Sequence, residues 1–130
     1  MIDIETQVFD AVKRSIDPVR CIPEYQNTTA QFPTVTIEET SNTVYEKTSD
    51  SGHIENHARV SYEVNVYSNK TDGKKQEAKQ IMSDVDDAME EIGFTRNFCS
   101  SVPNLADSTI YRITARYTAV VGKDEKIYRR

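Results

Sequence analysis

Between Ala58 and Tyr67 apolar and polar residues alternate one for one. Ala58, Val60, Tyr62, Val64 and Val66 hold the even positions; Arg59, Ser61, Glu63, Asn65 and Tyr67 hold the odd ones. Alternation sustained this long predicts a strand with one face on a core and the other on water or a partner. Ser68 to Gly73 is a run of turn formers that ends it. From Lys74 the period becomes helical: Ala78, Ile81, Met82, Val85, Ala88, Met89 and Ile92 form one apolar stripe at three- and four-residue steps. Gly93 stands where a left-handed C-cap is wanted, and Thr71 or Asp72 is placed to cap the start.

The other segments read less clearly. Ile4, Val8, Phe9, Val12 and Ile16 share a face and predict a helix over 3–16, with Asp3 and Glu5 favourably placed in its first turn and Asp17-Pro18 ending it. Residues 20–31 have no period and read as a loop. Phe32 to Glu39 alternates, with Pro33 marking a strand start or an edge. Residues 40–57 are dominated by polar side chains, and the length without a pattern predicts a protruding hairpin or flexible arm. Phe94 to Phe98 predicts a short strand with both phenylalanines inward, and Ser100 to Asn104 a turn. A second long strand is predicted over 109–121: Tyr111, Ile113, Ala115, Tyr117, Ala119 and Val121 face one way, and Ile110, Arg112, Thr114, Arg116, Thr118 and Val120 the other. Gly122 closes it, and 123–130 is a charged tail. The order predicts one α+β domain over 1–122: an antiparallel or mixed sheet, two helices on a single face, and a long hairpin arm at about 40–57.

Composition narrows the class. The 130 residues are 37% hydrophobic and 28% charged, with a formal net charge of −5. That balance suits a globular chain and opposes specific nucleic-acid binding, which wants a basic face. No run is long and apolar enough to predict a membrane span, and Met1-Ile-Asp-Ile-Glu5 does not have the pattern of a secretory signal. Cys21 and Cys99 are too few and too far apart for a disulfide framework or a zinc site, and read as reduced thiols.

Candidate chemistry is sparse. His53 and His57 are four apart, but the zinc-protease pattern needs Glu directly after the first histidine, on a helix, and here Glu55 is third in a polar segment. Asp84, Asp86, Asp87, Glu90 and Glu91 have neither the glycine nor the spacing of a calcium loop and read as the solvated face of the helix. Neither cysteine has a nucleophile's signature, and no Gly-rich phosphate loop occurs. The sequence therefore predicts no catalytic residue, no metal ligand and no cofactor.

Two charge patterns point to assembly instead. Lys70, Lys74, Lys75 and Lys79 lie at the start of the long helix and acids, including Asp87 and Glu91, crowd its end, the reverse of what the helix dipole favours. A subunit positive at one edge and negative at another suits a head-to-tail ring. The polar strand face carries Arg59, Glu63, Arg112 and Arg116, which become cross-strand neighbours if the two long strands pair. Ile110 and Val120 on that face predict that part of it is covered by another chain.

The phrases Phe32-Pro-Thr-Val-Thr-Ile-Glu38, Val60-Ser-Tyr-Glu-Val-Asn-Val-Tyr-Ser68, Asp86-Asp-Ala-Met-Glu-Glu-Ile-Gly-Phe-Thr-Arg96 and Tyr111-Arg-Ile-Thr-Ala-Arg-Tyr117 occur in this order around a Lys- and Ala-containing helix. Over about residues 3–121 the chain resembles the tail terminator or tail-completion proteins of long-tailed bacteriophages and phage-derived tail particles. The resemblance implies a virion structural protein of the tail-neck region, assembled in the bacterial cytoplasm and not an enzyme. It implies a ring, usually a hexamer, on the last ring of the tail tube, stopping tube growth and meeting the head-completion, connector or collar proteins, and in a contractile tail the sheath. The arm at 40–57, with Tyr45 and His53, and the tail, with Arg129, are expected to reach neighbouring rings. The other reading of the residues is a small dimeric α+β domain that binds a ligand or catalyses a reaction.

Overall fold

The computed structural model describes residues 2–17, 19–23, 32–44, 57–102, 109–122 and 127–128. Two helices, α1 (Glu5–Ile16) and α2 (Lys74–Glu91), accompany six strands: β1 (Arg20–Ile22), β2 (Thr34–Val44), β3 (His57–Ser68), β4 (Thr95–Ser101), β5 (Tyr111–Gly122) and β6 (Ile127–Tyr128). The sheet runs β1-β2-β3-β5-β4, with β6 pairing the end of β5 beyond the stretch that β4 occupies. β1 is parallel to β2 and every other pair is antiparallel, so the fold is α+β with a mixed sheet.

β3 and β5 pair without a break from His57↔Gly122 to Ser68↔Tyr111. Unbroken pairing keeps both alternations in phase. Ala58, Val60, Tyr62, Val64 and Val66 join Ile113, Ala115, Tyr117, Ala119 and Val121 in one buried layer. Both helices lie on that face: α1 packs on β1, β2 and α2, and α2 on β3, β5 and β4. The buried side chains of α1, Val8, Val12 and Ile16, and the stripe Ala78, Ile81, Met82, Val85 and Met89 of α2 complete the core. The Ser15 hydroxyl also donates to the Asp84 carbonyl at 3.1 Å, tying the two helices.

The helix ends follow from local chemistry. At the end of α2, Phe94 N–H bonds the Met89 carbonyl at 2.9 Å and Gly93 N–H the Glu90 carbonyl at 3.0 Å, with Gly93 at φ 108°. This is a Schellman ending, and its two flanking apolar residues, Met89 and Phe94, are both buried. At the start of α2 the N-cap is Gly73 at φ 85° with no side-chain cap, so neither Thr71 nor Asp72 plays that part. Asp3 does assist α1, its carboxylate accepting from Glu5 N–H at 3.0 Å.

Several expectations are corrected. Residues 20–22 form β1 rather than loop, and 127–128 form β6. Residues 40–44 belong to the sheet, pairing as far as Val44↔Ala58, which leaves 45–56 of the proposed arm outside the described residues. Phe98 is not inward. The β4–β5 register shifts between Arg96 and Phe98, and the extra residue, Asn97, bonds the Thr118 hydroxyl. With a period of two, one inserted residue turns all that follows to the other face. Phe94 is buried against Tyr62, edge to face at 5.5 Å and 88°, whereas Phe98 stands opposite Arg116 and is 40% exposed.

Met89, at the junction of stripe and ending, is fully buried. Met89→Ala is expected to lower the unfolding free energy by about 2–5 kcal/mol. Urea denaturation should show this as a lower midpoint at unchanged slope.

Candidate assembly surface

The face of the sheet turned away from the helices is polar and connected. Register sets Glu63 opposite Arg116, Asn65 opposite Thr114 and Tyr67 opposite Arg112. The Asn65 side-chain oxygen accepts from Arg112 Nε at 2.9 Å and from the Thr114 hydroxyl at 2.6 Å. Its amide nitrogen donates to Glu63 at 3.4 Å, and the other Glu63 oxygen accepts from Arg116 Nε at 3.3 Å. Each guanidinium also lies over an aromatic ring, Arg112 over Tyr67 at 5.6 Å and Arg116 over Phe98 at 5.1 Å. The chain of contacts Phe98–Arg116–Glu63–Asn65–Arg112–Tyr67 thus crosses β4, β5 and β3. Asn65 and Thr114 are buried, as is Thr36 beside them on β2, although neither α1 nor α2 covers this face. Arg116 itself is 60% exposed at its side chain, so its ion pair contributes little to folding, about 0–1 kcal/mol.

Two buried tyrosines of the helix-side core carry their hydroxyls out to carboxylates. Tyr117 bonds Asp86 of α2 at 2.9 Å, and Asp86 also pairs with Arg96 of β4 at 3.2 Å. Tyr62 bonds Glu39 of β2 at 3.4 Å. Burial first, then the neighbouring carboxylate, pushes both phenols well above their ordinary range, so they act as donors and remain neutral.

The sequence-predicted residues divide among these features. Arg112 and Arg116 meet in the network, while Arg59 lies on the same face opposite Val120. Lys75 lines a groove of about 470 Å³ between α2 and β4, together with Lys79, Asp86, Arg96, Met82 and Ile113. Lys74 points elsewhere, its ammonium donating to the Thr109 carbonyl at 3.1 Å just before β5. Asp87 and Glu91 are exposed on the acidic half of α2. Tyr45, His53 and Arg129 lie outside the described residues. Val120, expected under another chain, is already buried within this one, with Tyr128 of β6 as a register partner. Alternation alone placed Arg112, Arg116 and Glu63 on one face; the parts of Asn65, Thr114 and Phe98 depend on cross-strand register and on the Asn97 bulge, which the sequence does not display.

A second groove, of about 260 Å³, runs between α1 and β2 and is lined by Glu5, Phe9, Ile37, Glu38, Glu39 and Tyr62 among others. Cys21 and Cys99 are both free and sit on β1 and β4, the two end strands of the main sheet path. Burial pushes the Cys21 thiol up to about 11, with Lys13 pulling the other way. Among the described residues no group of three or more His, Cys, Asp or Glu is gathered to hold a metal, and no helix is long and apolar enough to cross a membrane. No protein-family model matches the chain, and no curated protein sequence matches it.

Glu39 holds its proton to higher pH than an ordinary glutamate, because burial disfavours the charge and Glu5 and Asp3 repel it, against the bonds from Tyr62 and Asn42. A raised folded pKa means that the ionised group costs stability above the carboxylate range and nothing below it. Glu39→Gln is therefore expected to raise the melting temperature at neutral pH, by a margin that shrinks as pH falls through the carboxylate range. Paired calorimetric scans at neutral and acid pH check this; a margin that stays constant or grows on acidification contradicts it.

Proposed function

We propose that this chain is a ring-forming structural subunit of a long phage tail or phage-derived tail particle, a tail terminator that caps the tube and joins it to the head connector or collar. The observation that carries the reading is the connected polar sheet face. Its arginines are anchored by Glu63 and Asn65 yet leave Arg116 and Phe98 exposed at its rim. Orientation of charge by neighbours, with an aromatic ring beside it, is what a partner surface uses to gain specificity and association rate. The resemblance in the order of elements and in the four phrases quoted above supplies the station, and charge complementarity between copies supplies the mechanism. The chain works by filling and ending a lattice, with no bond made or broken.

Native mass spectrometry and negative-stain imaging of the purified chain test this reading. The expected result is a closed ring, most simply a hexamer, whose population falls as salt rises, because exposed charges are screened within about 10 Å at 0.1 M. A compact dimer that persists at every concentration and salt would overturn the ring and favour the small ligand-binding or catalytic domain.

A further inference from the structure

Among the described residues the main sheet ends in two strand edges that lack a further strand partner and differ in charge. On one side β4 pairs only with β5 among the described residues, and all seven of its residues are exposed. Beyond the Asn97 bulge, Phe98 to Ser101 has no charge, no proline and no lysine, the usual devices that keep an edge single. On the other side β1 covers β2 only at Thr34, Val35 and Thr36. From Ile37 to Val44 the outer edge of β2 has no strand partner among the described residues.

The charges at the two edges are complementary. Arg96 lies on β4, Arg116 beside it on β5, and Lys75 and Lys79 in the groove along it; Asp86, Glu90 and Glu63 stand against these four cations and leave a small positive excess. The β2 edge carries Glu38 and Glu39, with Glu5 beside them, against one base, Arg59 of β3, opposite Thr43.

We infer that β4 of one copy pairs with the Ile37–Val44 edge of β2 of a second copy, so that the sheet continues from subunit to subunit. The strand directions fit. β2 and β5 run one way and β3 and β4 the other, so a copy added in the same orientation sets its β2 antiparallel to β4. Antiparallel pairing can be formed between strands of different chains with no crossover, and the backbone groups of both edges gain partners. The contact joins two different surfaces, so it is head-to-tail and repeats; the twist of the sheet turns each copy against the last, and such a repeat closes as a ring or runs on as a filament. On the face away from the helices, Phe98 and Ser100 meet the β2 residues of that same face, Glu38, Ser41 and Thr43. This inference rests on the reading of the chain as an assembling subunit and names the surface by which it assembles.

Cysteine cross-linking tests it in the full chain. With Cys99 replaced by serine and buried Cys21 left in place, Ser100→Cys and Ser41→Cys are introduced singly and together; both positions are exposed. A bis-maleimide spanning about 8 Å reaches the opposite residue or its diagonal neighbour. The double variant is expected to give a ladder of covalent multimers on a denaturing gel, and each single variant none. Covalent dimers from Ser100→Cys alone would show β4 meeting β4 and overturn the inference. Rings by native mass spectrometry without a ladder would overturn the edge pairing and leave the assembly reading standing. A chain that stays monomeric at every soluble concentration would overturn both. In the unmodified protein, amide exchange over Phe98–Ser101 and Ile37–Thr43 is expected to slow as concentration rises through assembly; unchanged exchange across a demonstrated assembly transition rejects the edge pairing independently of any variant.

Discussion

The unbroken register of β3 on β5 is the constraint on which everything else depends. Because side chains alternate with a period of two, a slip of one residue would send Val60, Tyr62, Val64 and Val66 to the open face and bring Arg59, Glu63 and Asn65 under the helices. Burying those groups without partners would cost several kcal/mol each, so the register is decided by the core. The same pairing that buries Tyr62 against Tyr117 sets Glu63 against Arg116 and Asn65 against Thr114. The packed face and the polar face are one event seen from two sides.

Two bulges then modify what the register dictates. Glu39 meets Tyr62 on the helix face in the same register as Val35 and Ile37, the shift after it turns Ser41 away, and the shift at Asn97 carries Phe98 from the core side to the rim of the arginine network. Both bulges sit on strands at or beside an edge of the sheet, where a local change of direction disturbs no central ladder. The interior is thereby kept regular, and variation is concentrated at the margins of the sheet.

The legible part of the fold was the part with long periods. Ala58 to Tyr67, the Ala78 to Ile92 stripe and Tyr111 to Val121 each carry enough turns or alternations to fix type and face, and Gly93 marks its own C-cap through a positive φ. Strands of two or three residues show no period, so β1 and β6 become visible only through the long strands they pair with. A bulge depends on local hydrogen bonding and not on composition, so Phe98 read as core. Of the site, the faces of Arg112, Arg116 and Glu63 followed from alternation; the bonding of Asn65, and the diversion of Lys74 to the Thr109 carbonyl, required three-dimensional proximity.

In the proposed assembly, one face of the sheet folds the chain and the other face, with its edges, meets the neighbouring copies. Arg116→Ala tests this division most directly, with unfolding free energy and oligomeric mass measured on the same preparation. The prediction is a change in stability of less than about 1 kcal/mol, since among the described residues Arg116 makes an exposed ion pair and a ring contact, together with a clear loss of assembled species. Assembly that is unchanged at unchanged stability, or a stability loss of several kcal/mol, would contradict it.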